Sequence, residues 1–318
     1  MMRATPLAAF LCAALLALQA DAGAAQARAA AMKGPAPYQF AIIGHRFTDG
    51  GGDAQLEQAI AASDDGAVAF VVATGIKGER EPCSDALYTQ RRDLFAQARR
   101  PMIVAPAASD WSGCTNGAGG QLALDRLNRM RELFYPDADS LGKRKLPLLR
   151  LSASSQFRSY AENAQWVMGN VLYATMNLPS DNNHYRPEAG RNSEFEDRAV
   201  ANRFWLKRLF GIANRNKLDA VVLFTEGDMK AHSDKPGLLS MLGQGDSRQD
   251  GYAAARHQVV TMAQKFAGKV LLIDTAPPQG PAPAIAWRAN LGHVSVGSNV
   301  LRMRVAPGSE KMFLLQKP

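Results

Sequence analysis

The chain has 318 residues, 47% of them hydrophobic, and its 37 Lys and Arg outnumber 29 Asp and Glu for a net charge of +8. That length and apolar content exclude a disordered or fibrous chain and suffice for one large domain with a substantial core. The excess positive charge sits in short groups, Arg91-Arg92, Arg99-Arg100 and Lys143-Arg144-Lys145, with no aromatic-interleaved basic stripe, so a solvated surface is expected and no nucleic-acid motif is present.

In chain order, the first segment carries one cation at Arg3, an apolar stretch from Leu7 to Leu18, and small residues at Ala20, Ala22 and Ala24. This reads as a secretory signal peptide over 1–22, its apolar core being too short for the ~20 residues of a membrane-spanning helix. A short tail over 23–37 and a single domain over 38–318 are expected to follow, in the periplasm or outside the cell. Strand signals fall at Tyr38–Ile43, Val68–Ala73, Met102–Ala105, Leu146–Leu151, Val171–Asn177, Val221–Thr225, Val270–Asp274, His293–Val296 and Val300–Val305. Helical patterns fall at Asp53–Ser63, Ser84–Ala98, Leu122–Leu133, Phe195–Asn214 and Gly251–Phe266. Alternating strands and helices predict an α/β fold with parallel pairing, and the closing strand pair adds an antiparallel portion. The apolar runs after the signal peptide are all strand-length, so no transmembrane segment is expected after cleavage.

Cys83 and Cys114 are the cysteines that remain after signal cleavage. An even number in an exported chain favours a disulfide over two free thiols, and no C-x-x-C spacing points to a metal. Gly50-Gly51-Gly52 lacks the spacing of a phosphate-cradling loop, and no G-x-S-x-G elbow is present for a serine hydrolase. Trp111, Trp166 and Trp205 lie in apolar patterns and are expected in the core.

Several stretches together carry a likeness. They are Pro82-Cys83-Ser84-Asp85, Asp110-Trp111-Ser112-Gly113-Cys114, Leu127 to Pro136, Tyr160 to Trp166, Ser180-Asp181-Asn182-Asn183 and Arg198 to Leu206. In order and spacing the chain resembles an exported bacterial branch of the calcineurin-like metallophosphoesterase superfamily from Phe40 to about Phe313. The resemblance implies two packed mixed β-sheets flanked by helices, an active site at the C-terminal strand ends, and a bond between Cys83 and Cys114.

In that family two metal ions clamp a phosphate and lower the pKa of an attacking water. Such a pair needs several Asp, His and Asn ligands, and here the framework stays while the ligands go. Gly44-His45 stands for G-D after the first strand, and Gly75 for the bridging carboxylate before Ile76-Lys77-Gly78. Ser109 stands for the Asn ligand of P-G-D-N-E-W, and Ala276 for the His of G-D-T-H. The expectation is a non-catalytic protein of metallophosphoesterase fold, with no cofactor and with partners the sequence does not name. The alternative is an active phosphoric ester hydrolase with a remodelled site for one divalent metal ion. The polar groups left to line the old cleft are His45, Asp110, Asp181, Asn182, Asn183, His184, Glu226, Asp228, His232 and Asp274.

Overall fold

The computed structural model describes residues 35–47, 52–64, 67–186, 192–232 and 250–316. The expected signal peptide and the expected tail up to residue 34 lie outside the described residues, as do Gly50 and Gly51. Pro37–Pro318 forms one compact unit.

The first sheet has five strands: β1 (Tyr38–Ile43), β2 (Val68–Thr74), β3 (Met102–Ala105), β11 (Val300–Val305) and β12 (Phe313–Gln316), in the order β12-β11-β1-β2-β3. The seven-stranded sheet combines β4 (Leu149–Arg150), β5 (Ala164–Met168), β6 (Val171–Thr175), β7 (Ala220–Phe224), β8 (Lys269–Asp274), β9 (Ala286–Arg288) and β10 (Leu291–Ser295). Its order is β4-β5-β6-β7-β8-β10-β9. Both sheets are mixed. β1, β2 and β3 run parallel, as do β6, β7, β8 and β10, and the remaining pairings are antiparallel.

Because side chains alternate across a strand, each sheet presents two apolar faces. Phe40, Ile42, Phe70 and Val72 of one sheet meet Tyr173, Val222, Phe224 and Ile273 of the other in the central core. Phe40 stacks on Phe70 with centroids 5.1 Å apart, and Tyr173 meets Phe70 edge-on at 4.9 Å. The alternate residues Ala41, Ile43, Val71 and Ala73 face a helical layer through Leu56 of α1 (Asp53–Ser63), Tyr88 and Phe95 of α2 (Asp85–Gln97), and Met130 and Phe134. The last two belong to α4 (Ala123–Phe134), which follows the one-turn α3 (Ala108–Trp111). On the opposite side Leu172, Val221, Leu223 and Leu272 pack on Trp205, Leu206 and Leu209 of α5 (Ser193–Arg215) and Val259 of α6 (Ala253–Lys265). The architecture is therefore the expected two-sheet α/β sandwich flanked by helices.

Five details differ from expectation, the first being that the closing pair does not form: β10 lies in the seven-stranded sheet, and β11 pairs antiparallel with β1 and β12 in the other. The strand expected over Leu146–Leu151 shrinks to Leu149–Arg150, because Pro147 has no N–H for a ladder and Leu151 starts a 3₁₀ turn. Strands β5, β9 and β12 were not expected; β9 and β12 are short edge strands of weak pattern.

Cys83 and Cys114 are disulfide-bonded, with Cα atoms 5.9 Å apart, tying the start of α2 to the segment after α3. Trp111, Trp166 and Trp205 are buried. Among the described residues, no helix is long and apolar enough to cross a membrane.

Candidate functional site

Parallel strands end together, so the segments after β1, β2 and β3 of one sheet and after β6, β7 and β8 of the other carry the expected residues at the C-terminal strand ends. Contacts divide these residues into three groups.

The first group lies after β1, β2 and β3. His45 is buried; its Nε2 is 3.1 Å from Ser109 Oγ and 3.3 Å from Lys77 O. The Ser109 hydroxyl donates to Lys77 O at 2.7 Å, which leaves its oxygen to accept from His45 and assigns the imidazole proton to Nε2. Gly75 has φ +79°, and a Cβ there would meet His45 Cδ2 at 2.3 Å and Ala107 Cβ at 3.1 Å. The imidazole thus occupies the volume a side chain at position 75 would need. The Lys77 ammonium, also buried, donates to Gly78 O at 2.8 Å and to Ser109 O at 2.6 Å. Burial lowers its pKa, opposed by the charges of Asp110, Glu81 and Glu79.

Asp110 is fully buried, and its carboxylate works on the backbone. One oxygen accepts from Ile76 N at 2.9 Å and Lys77 N at 3.2 Å, and the other from Ala107 N at 2.7 Å. Burial raises its pKa, against His45, the backbone donors and Lys77. These bonds join the loops after β2 and β3.

Glu226, after β7, reaches from the second sheet to the first. Its Oε2 accepts from Ala108 N at 2.5 Å and Ser180 N at 2.8 Å, and its Oε1 from Ser180 Oγ at 2.9 Å. Burial pushes its pKa up to about 8, against the stabilising donors of Ser180 and Ala108.

The second group is a turn at Asp181–His184. Asn182, Asn183 and His184 have φ of 54°, 57° and 54°, three successive left-handed residues without a glycine. Their side chains offset that strain. Asn182 Oδ1 accepts from Gly251 N at 3.0 Å, Asn183 Nδ2 donates to Gly251 O at 2.8 Å, and Asn183 Oδ1 accepts from the buried Arg198. Asp181 accepts from His184 N at 3.1 Å and lies 3.3 Å from His184 Nδ1. Burial raises the Asp181 pKa, but hydrogen bonds from His184 and Ser112 outweigh it and hold the carboxyl below its ordinary value. The turn is pinned to α5 and to the start of α6.

The third group joins Asp228 and His232, from the loop after β7, to Asp274 at the end of β8 and His293 in β10. His293 Nε2 lies 2.5 Å from Asp274 Oδ2 and 3.5 Å from Asp228 Oδ1. The rings of His232 and His293 stack with centroids 3.7 Å apart and planes 5° from parallel. Asp228 Oδ1 also accepts from Lys230 N at 2.6 Å, which folds the loop back on itself. His293 was not expected here. Its only sequence signal is parity, since it shares a strand face with Leu291, which packs in the helix-side core, while Val294 points into the central core.

The expected residues therefore do not converge on one metal-binding centre. His45 and Asp110 touch neither Asp228 nor His232 in any described hydrogen bond or ion pair. Arg91, expected on the solvated surface, is instead buried because its guanidinium is paired, and with Lys77 and Arg198 it holds the loops. Arg91, for example, bonds Asp53 at 2.7 Å and Glu81 at 2.6 Å.

No family model matches the chain, and no curated protein matches it.

Proposed function

We propose that the chain is an exported, metallophosphoesterase-like protein that does not hydrolyse phosphate esters through a pair of metal ions. The packed mixed sheets and the sequence motifs support the likeness, and the disulfide supports an oxidising compartment. One observation carries the non-catalytic reading: the His45 ring fills the space beside Gly75 from which a bridging carboxylate would project. Two close dications repel each other strongly and need such a carboxylate between them. At the same strand ends Ser109 is committed to Lys77 O and His45, and Asp110 to three backbone N–H groups. The protein is then a binding or structural component of the envelope or of the secreted fraction.

The test is steady-state hydrolysis of phosphomonoesters and diesters by the purified protein with manganese, zinc, iron or calcium added. No turnover above that of a His45→Ala, Asp110→Asn double variant is expected. Metal-dependent turnover that disappears in the double variant refutes the reading.

A further inference from the structure

We propose that Asp228, His232 and His293 form a mononuclear site for a borderline divalent transition metal, with zinc the best match, and that Asp274 closes the site. The inference goes beyond the proposed function and does not depend on it, because none of these side chains belongs to the Gly75 position.

The donor set is the first argument. Two imidazoles and one carboxylate are the composition that zinc takes in three-ligand sites with an open position, and it is poor for calcium or magnesium, which prefer oxygen. One ligand atom from each of Asp228, His232 and His293 lies within 4.8 Å of the others. A tetrahedral ion with bonds of about 2.0–2.1 Å holds its ligand atoms roughly 3.3 Å apart. The 3.5 Å between Asp228 Oδ1 and His293 Nε2 already matches, and the 3.8 Å from Asp228 Oδ1 to His232 Nδ1 needs a small rotation.

The second argument is a polar atom without a role. His232 Nδ1 is shielded from solvent and has no hydrogen-bond partner among the described residues; the Asp228 oxygen at 3.8 Å is beyond bonding distance. Buried polar atoms are ordinarily paired. A metal at the edge of the trio supplies the missing partner.

The third argument concerns Asp274. Its carboxylate lies 2.5 Å from His293 Nε2, hydrogen-bond distance for the tautomer with the proton on Nε2. Ligation through Nε2 requires the tautomer with the proton on Nδ1. It then frees Asp274, itself fixed by Ala276 N at 3.0 Å, to become a fourth ligand or to accept from a bound water. Asp228 and His232 side chains are each 15% exposed, so the ion has a route in and a solvent-facing side.

The experiment is a titration of chelator-stripped protein with zinc, followed by calorimetry, and with cobalt(II), followed by visible absorption. One ion per chain is expected. Asp228→Asn and His232→Ala should each weaken binding by more than the roughly 10- to 100-fold that loss of a supporting partner causes. His257→Ala, on the exposed face of α6, should leave it unchanged. Circular dichroism checks each fold, and His232→Gln replaces His232→Ala if the latter does not fold. Absence of binding by the wild type, or binding that survives both Asp228→Asn and His232→Ala, overturns the proposal. Phosphatase turnover bears on the proposed function alone, so the two readings fail separately.

Discussion

Gly75→Ala probes the strand-end group most directly. At φ +79° a non-glycine residue costs about 1–2 kcal/mol in backbone strain alone. The new Cβ would stand 2.3 Å from His45 Cδ2, more than 1 Å inside the roughly 3.5 Å at which carbons pack. The ring escapes only by giving up Ser109 Oγ and Lys77 O, and overpacking of this kind costs about 1–3 kcal/mol. The expected total is about 2–5 kcal/mol. In a His45→Ala background the clash with the ring is gone, leaving the backbone strain and the 3.1 Å approach to Ala107 Cβ, so the two substitutions should couple by about 1–3 kcal/mol in a double-mutant cycle. Denaturant midpoints of the four proteins measure this. Equal costs of Gly75→Ala in both backgrounds would refute the claim that His45 occupies the volume beside Gly75. Gly75→Asp adds a buried carboxylate to the same clash and is expected to yield no metal-dependent hydrolysis.

Replacing both Cys83 and Cys114 by serine opens a loop of 31 residues and should cost about 3–4 kcal/mol, read from denaturation midpoints with the native protein under reducing conditions as a control. Arg198→Met leaves Glu194, bonded to it at 2.7 Å, and Asn183 without their buried partner; a loss of about 3–5 kcal/mol is expected by thermal or chemical denaturation. Glu226 titrates near 8 in the fold and at its ordinary 4.5 when unfolded, so the folded chain holds the extra proton between those values. Its contribution is therefore full below about pH 4.5 and is lost as pH rises toward 8, by at most about 1.4 kcal/mol per pH unit. Glu226→Gln keeps the acceptor for Ala108 N and Ser180 N and should flatten that part of the stability-pH curve; an unchanged slope would show that another group carries it.

Strand and helix periodicity exposed most of the fold, because the layers are built from clean alternation. Phe40 and Ile42 against Ala41 and Ile43 is the plainest case, one pair facing the central core and the other the helices. Where a strand is short and lies at an edge, as with Ala286–Arg288, three exposed residues carry no period to read. Leu146–Leu151 had the composition of a strand, yet Arg150 turns its guanidinium onto the carbonyls of Asp137, Asp139 and Ala161, and the chain leaves the sheet. In the site, a glycine at position 75 was legible, but what fills the space beside it was not. That His45 would move into the space depends on backbone geometry at three separate strand ends. His293 was invisible for a related reason: it meets His232 only because β10 lies beside β8 and the loop after β7 folds over both.

The charges at the strand ends explain how the first group stands without an ion. A buried carboxylate with no cation beside it must be neutralised or hydrogen-bonded. Asp110 remains, and three backbone N–H groups together with the nearby Lys77 ammonium hold it. Glu226 remains, and its raised pKa leaves much of it protonated at neutral pH while it spans Ala108 and Ser180. One acid is thereby matched to one base and the other is neutralised by its own proton. Adding a dication there would have to displace Lys77 from Gly78 O and Ser109 O and leave two buried carbonyls to be satisfied again. The Asp228, His232, Asp274 and His293 group is built differently. It holds two carboxylates, two stacked imidazoles and a buried ring nitrogen with no partner among the described residues, so an ion there would pair that nitrogen at the expense of one His293–Asp274 hydrogen bond, whereas at Gly75 it would displace several.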